Sequence, residues 1–166
     1  DFTPVIEKAL ELPGANMKSD ETLTTGFHHE NVLELAPDII EAVEEGKISR
    51  FFVIAGCDSP GSGNEYYREL AKSIPKDCVI LTTACGKFRF NDLDYGTVPE
   101  TEIPRFIDLG QCNNSISAVK IATALADAFD CSVNELPLSI VLSWFEQKAC
   151  AILLGLLDLG LQDIYL

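Results

Sequence analysis

Basic residues are scarce in this chain. Twelve lysines and arginines stand against 26 acids, for a net charge of −14. A surface of that sign repels a phosphate backbone, which argues against nucleic acid as a partner. Apolar runs are short, none approaching the ~20 residues of a membrane span, so no membrane partner is expected. The last such run, residues 149–157, stops at Asp158 and reads as a buried helix. No basic segment followed by an apolar core and a small-residue cleavage site opens the chain. Its first residue is Asp rather than Met, which leaves room for a processed or excised start. There is no C-x-x-C pair, which argues against a zinc ribbon or a thioredoxin-type redox site. The glycine-rich stretch 56–64 could cradle an anion. It lacks both the Gly-Lys-Ser/Thr ending of a P-loop and the G-x-G-x-x-G dinucleotide spacing. Histidine is nearly absent: His28 and His29 are adjacent, so they point in different directions, and both read as structural or surface residues.

What is present describes one globular domain. At 166 residues the chain can bury roughly 70% of its unfolded surface and needs no disulfides. Its six cysteines divide by setting. Cys78, Cys131 and Cys150 lie among apolar residues, as small hydrophobes do. Cys57, Cys85 and Cys112 are flanked by glycine and small polar residues, in Gly56-Cys57-Asp58, Ala84-Cys85-Gly86 and Gln111-Cys112-Asn113. These three form a reactive or ligating set, and a reducing, cytoplasmic compartment suits them.

Residues 1–29 read as a connector from a preceding domain, with a short helix over 4–10 and an extended edge strand over 22–25. Asn31 caps a helix whose Val32, Leu35, Ile39, Ile40 and Val43 repeat at helical spacing until Gly46 ends it. From there strands alternate with helices. Strand 51–55 leads to a helix near 64–73 with Tyr66, Leu70 and Ile74 inward. Strand 78–82 leads to an irregular segment, 84–104. Strand 105–109 precedes a helix over 113–129, strand 138–142 a helix over 146–159, and a last strand covers 163–166. Near-continuous apolar strands alternating with helices predict an α/β, Rossmann-like parallel sheet with helices on both faces, spanning residues 30–166. Both ends look cut, as in a domain excised from a longer protein.

In that fold the carboxyl ends of the strands share one edge, where open α/β sheets bind ligands. Cys57, Cys85, Cys112 and Glu146 each follow a strand directly. Cys57 also precedes a helix, a setting that favours a thiolate. Lys87 either favours a thiolate at Cys85 or is plain surface. Three thiolates suit iron–sulfur or zinc chemistry, and a carboxylate would make the ligand set mixed. Lys148, two residues beyond Glu146, reaches the same place only if the first helical turn is irregular. The bland alternative is a non-catalytic α/β binding module with incidental thiols.

Four segments together carry a resemblance. They are Phe51-Phe52-Val53-Ile54-Ala55-Gly56-Cys57-Asp58, Leu81-Thr82-Thr83-Ala84-Cys85-Gly86-Lys87-Phe88-Arg89-Phe90-Asn91, Asp108-Leu109-Gly110-Gln111-Cys112-Asn113 and Leu138-Ser139-Ile140-Val141-Leu142-Ser143-Trp144-Phe145-Glu146-Gln147-Lys148-Ala149. They and their spacing resemble the hybrid-cluster (prismane, hydroxylamine reductase) family, and more distantly nickel carbon monoxide dehydrogenase. The resemblance implies a hybrid iron–sulfur–oxygen cluster that reduces hydroxylamine to ammonia and water, with nitric oxide as a further small nitrogen-oxide substrate. It implies Cys57 as a persulfide-bearing cluster cysteine, Cys85 and Cys112 as thiolate ligands, Glu146 as an iron carboxylate ligand and Lys148 as a site residue. It also implies that a His, a Glu and another Cys come from a preceding domain. An N-terminal helical domain would carry a second iron–sulfur cluster. Partners are therefore the remaining domains and an unidentified electron donor, and residues 1–166 alone are expected to be inactive and without cluster. The Trp-Phe-Glu-Gln-Lys stretch speaks against a carbon monoxide dehydrogenase-like domain.

Overall fold

The structure, a computed structural model, describes residues 1–14, 22–57, 65–143 and 146–166. Its frame is a five-stranded sheet in the order β3-β2-β1-β4-β5, with every pairing parallel. The strands are β1 (Arg50–Gly56), β2 (Cys78–Thr83), β3 (Phe106–Asp108), β4 (Leu138–Ser143) and β5 (Ile164–Tyr165). Among the described residues six α-helices accompany them: α1 (Thr3–Glu11), α2 (His29–Leu33), α3 (Ala36–Glu44), α4 (Tyr66–Ser73), α5 (Ser115–Ala128) and α6 (Gln147–Asp158).

The strands form where β-branched and aromatic side chains run together, and both faces are covered. Phe51, Val79, Leu81 and Ile107 meet Val32 of α2, Ile39 of α3, and Ile121 and Leu125 of α5 on one face. On the same face Ile140 and Leu142 pack against Leu153 and Leu156 of α6. Side chains of opposite parity, Ile54, Ile80 and Val141, pack against Tyr67 and Ala71 of α4. All six residues of β2 are buried, as a strand sandwiched between helix layers requires. The α/β Rossmann-like expectation therefore holds.

Several local expectations change. Residues 22–25 form no strand and are exposed, because a Thr-rich run becomes a strand only where a sheet edge offers pairing. The helix expected from Asn31 to Gly46 is two helices, starting earlier, at His29. Pro37 lies in the first turn of α3, where its missing N–H costs nothing, and this starts a new helix rather than continuing the old one. Gly46 ends α3 with φ +74°, as expected. In α4 the inward stripe is Tyr67, Ala71 and Ile74, whereas Tyr66 is exposed, because the helix begins at Tyr66 and the phase shifts by one residue. Helix α6 is only half-covered: Ala149 is its one buried residue among those described, and Leu154 and Leu157 face outward. Cys150 on that helix is exposed, unlike Cys78, because it lies on the uncovered side. Among the described residues no helix is long and apolar enough to cross a membrane.

The contrast between the two apolar settings is measurable. Ile80, with 0% exposure, replaced by Ala should cost about 2–5 kcal/mol in urea denaturation. Leu154→Ala, at 66% exposure, should stay within roughly 0.5 kcal/mol of wild type.

Candidate metal centre

Strand order decides which residues meet. Because β3, β2, β1 and β4 lie side by side, their carboxyl ends present Cys112, Cys85, Cys57 and Glu146 in that spatial order. Neighbouring strands are ~4.8 Å apart, so the outer two of these four ends are only about 14 Å apart. All six cysteines are free thiols. Cys57 is buried, Cys112 half-buried and Cys85 exposed. Cys57 and Cys112 line one apolar cavity together with Gly56, Thr83, Ala84 and Ser143. It opens beside the point where chain order reverses between β1 and β4, the crevice in which such sheets bind ligands. Cys85 does not line it; its Sγ lies 4.0 Å from Oε1 of Gln111, the residue before Cys112.

The four strand ends are laced to one another in sequence. Cys57 donates its N–H to the Ser143 carbonyl at 3.4 Å, and the Ser143 hydroxyl donates back to the Cys57 carbonyl. A Cβ at Gly56 would collide with the Ser143 backbone, and φ there is +117°, so only glycine fits. Gly86 packs on the same strand end: a Cβ there would lie 3.3 Å from the Gly56 carbonyl oxygen. Ala84 donates to the Gly110 carbonyl at 2.9 Å, joining the Cys85 turn to the Cys112 turn. Ala84 has φ +69° and ψ −163°, a region that essentially only glycine occupies. Backbone strain is thus stored directly before a candidate ligand.

Glu146 and Lys148 form an exposed pair, with Lys148 Nζ 3.3 Å from Glu146 Oε1. The start of α6 departs from a regular helical turn at this point, because Glu146 is not helical. It is the extended N-cap residue of α6, with φ −139° and ψ 174°. The hydrogen bond and charge of Glu146, and then charge at the Cys112 and Cys57 sulfurs, raise the Lys148 pKa. Trp144, Phe145 and most of the glycine-rich loop, residues 58–64, lie outside the described residues.

Lys87 is neither surface nor free to favour a thiolate. It is 1% exposed and donates to Asp108 Oδ1 at 2.6 Å and to the Gly110 carbonyl at 2.8 Å. The sequence signal for this anchor is Asp108, a charge at the end of an otherwise apolar strand. His28, His29 and Glu30 bring three ligand-type atoms within 4.8 Å of one another. His29 is already engaged, Nδ1 with Ser117 Oγ at 3.3 Å and Nε2 with Lys120 Nζ at 3.1 Å. Burial, His28 and Lys120 all lower its pKa. Both ring nitrogens of His29 are thus engaged by protein side chains.

The Prismane/CO dehydrogenase family model matches residues 1–166. The chain belongs to the Prismane/CO dehydrogenase family. Within it, the chain is 61% identical to hydroxylamine reductase of Moorella thermoacetica, over 99% of this chain and 38% of that protein. It is 54% identical to hydroxylamine reductase of Geobacter sulfurreducens, over 99% of this chain and 30% of that protein. The chain thus spans about a third of the length of these curated relatives. Among solved structures, Ni-free carbon monoxide dehydrogenase from Thermococcus sp. AM4 superimposes with a TM-score of 0.63. That match is 21% identical and covers 77% of this chain and 23% of that one, which makes it a likeness of fold.

Two substitutions at this edge should move stability in opposite directions. Ala84→Gly relieves a strain of about 1–3 kcal/mol, less the 0.5–1 kcal/mol of added chain entropy, and should raise the denaturation midpoint. Gly56→Ala, forced against Ser143, should lower it by about 3 kcal/mol or more.

Proposed function

We propose that this chain is the cluster-ligand part of an oxidoreductase that reduces hydroxylamine to ammonia and water, NH2OH + 2e− + 2H+ → NH3 + H2O. The observation that carries the reading is three free thiols and a carboxylate on consecutive strand ends of one sheet edge. They occur in a chain 61% identical to a hydroxylamine reductase. The donor set fits an iron–sulfur–oxygen group: soft sulfur from Cys57, Cys85 and Cys112, and a hard oxygen from Glu146. When bound, such a group supplies the two electrons and a Lewis-acidic iron position left open by incomplete sulfur ligation.

The chain's own residues supply the rest. Apolar walls behind Cys57 and Cys112, from Val53, Ala55, Ala118 and Ile140, exclude water from one side of the site. Lys148 keeps a proton at Nζ beside Glu146, placed to protonate or polarise the N–O bond of hydroxylamine or a related small nitrogen oxide. The shallow, exposed Glu146–Lys148 pair leaves that ammonium mobile enough to be refilled from solvent. The resemblance puts the remaining His, Glu and Cys ligands in other parts of the protein. Residues 1–166 alone therefore neither retain the cluster nor turn over hydroxylamine, and iron and sulfide analysis after anaerobic reconstitution checks this.

In the full-length protein, Cys57→Ala or Cys112→Ala should abolish the cluster's electron paramagnetic resonance signal. Hydroxylamine turnover should fall by more than the ~10–100-fold that loss of an outer-shell partner causes. Lys148→Met should leave the signal in place and lower kcat by about 100-fold or more. Unaltered spectra in both cysteine variants would instead mark a non-catalytic α/β module.

A further inference from the structure

A buried ion pair that the proposed reaction does not use joins the end of β3 to the turn after β2. Lys87 and Asp108 are each 1% exposed, and their charged atoms meet at 2.6 Å. Desolvating both charges costs about as much as their attraction returns, so an apolar pair of similar volume would stabilise this fold equally well. Asp108 Oδ2 is buried with no hydrogen-bond partner among the described residues, which makes the arrangement costlier still. Stability does not account for the pair.

Its hydrogen bonds show what it does. Lys87 lies two residues past Cys85, and Gly110 two residues before Cys112. The Lys87 ammonium donates to the Gly110 carbonyl at 2.8 Å, the same oxygen that accepts the Ala84 N–H at 2.9 Å. Asp108 Oδ1 accepts the Gly110 N–H at 2.8 Å while holding Lys87. Both polar atoms of the Gly110 peptide position are therefore gripped by the pair. Gly110 itself has φ +102°, and a Cβ there would lie 3.2 Å from the Asn114 side chain, so the position suits glycine. The strained backbone of Ala84 persists only if its surroundings over-determine it, and the second donor on Gly110 supplies that constraint.

We propose that Lys87 and Asp108 are positioning residues that hold the Cys85 turn against the Cys112 turn and so set the separation of two thiols. This rests on the proposed reading of those thiols as cluster ligands. The pair acts only through the loops and touches neither substrate nor reacting atoms.

The test uses the full-length protein with the charge-free double substitution Lys87→Met and Asp108→Leu. Hydrogen exchange at the amides of Ala84 and Gly110 should accelerate about tenfold or more, the factor matching loss of one charge-assisted hydrogen bond. Exchange in β1 and the middle of α5 should stay as in wild type, at an unchanged urea midpoint. The cluster's paramagnetic resonance spectrum should shift. Should the double variant not fold, Asp108→Asn serves instead, since its amide oxygen can still accept from Gly110 while the charge holding Lys87 is gone. Unchanged exchange at the two amides overturns the proposal. So does faster exchange throughout the domain with a lowered midpoint, which would mark ordinary stabilisation. Local loosening with an unaltered spectrum also overturns it, because the thiol separation would then not depend on the pair. A wild-type protein that holds no iron would defeat the functional reading instead, and the exchange comparison would still decide whether the loops are tethered.

Discussion

Parallel pairing of β1 on both of its sides is the constraint from which the site follows. The register sets Phe51 against both Val79 and Leu138, and Ala55 against both Thr83 and Leu142. Three strands thereby end together, and β3 joins them through Thr82 and Asp108. A residue placed just after any of these strands reaches the same edge, with no further instruction in the sequence. An antiparallel neighbour would have sent its terminal residue to the opposite end of the sheet. Chemistry and core are therefore linked: the apolar alternation that buries β2 also aims Cys85.

Several departures from relaxed structure lie at that edge. Away from it, aliphatic side chains fill apolar layers, Arg105 satisfies the carbonyls of Cys78, Tyr95, Ile74 and Pro75, and Glu100, Asp130 and Asp163 take positive φ. At the edge there are an alanine in a conformation otherwise left to glycine, a glycine pressed against a neighbouring backbone, and a buried lysine–aspartate pair. Such features survive where the surroundings over-determine them, and they collect at sites that hold something in place.

Most of the architecture was legible because strand length, apolar runs and glycine positions agree in this chain. The four strand-end residues could be found for the same reason: each follows an apolar run directly, and a parallel sheet maps that position onto one rim. What was not legible depended on tertiary partners. Whether Tyr66 or Tyr67 faces inward turns on where α4 starts, a shift of one residue that composition does not encode. The outward side of α6 is as apolar as its inward side, so periodicity could not tell them apart. Lys87 beside Cys85 reads as a surface charge until β3 brings Asp108 under it, and that pairing spans 21 residues of chain. The family resemblance carried the ligand roles; geometry alone carries the shared rim.

The graded exposure of the three rim cysteines has a practical consequence. Cys85 stands in solvent, Cys112 is partly covered and Cys57 is buried. Oxidants and alkylating reagents reach thiols in order of access, so damage would start at Cys85 and spare Cys57 longest. Material handled in air would then carry a mixture of sulfur oxidation states at one rim, and a reductant that restores sulfenic acid would not restore sulfinic. The placement of a single turn thus sets which of the three thiols meets such reagents first.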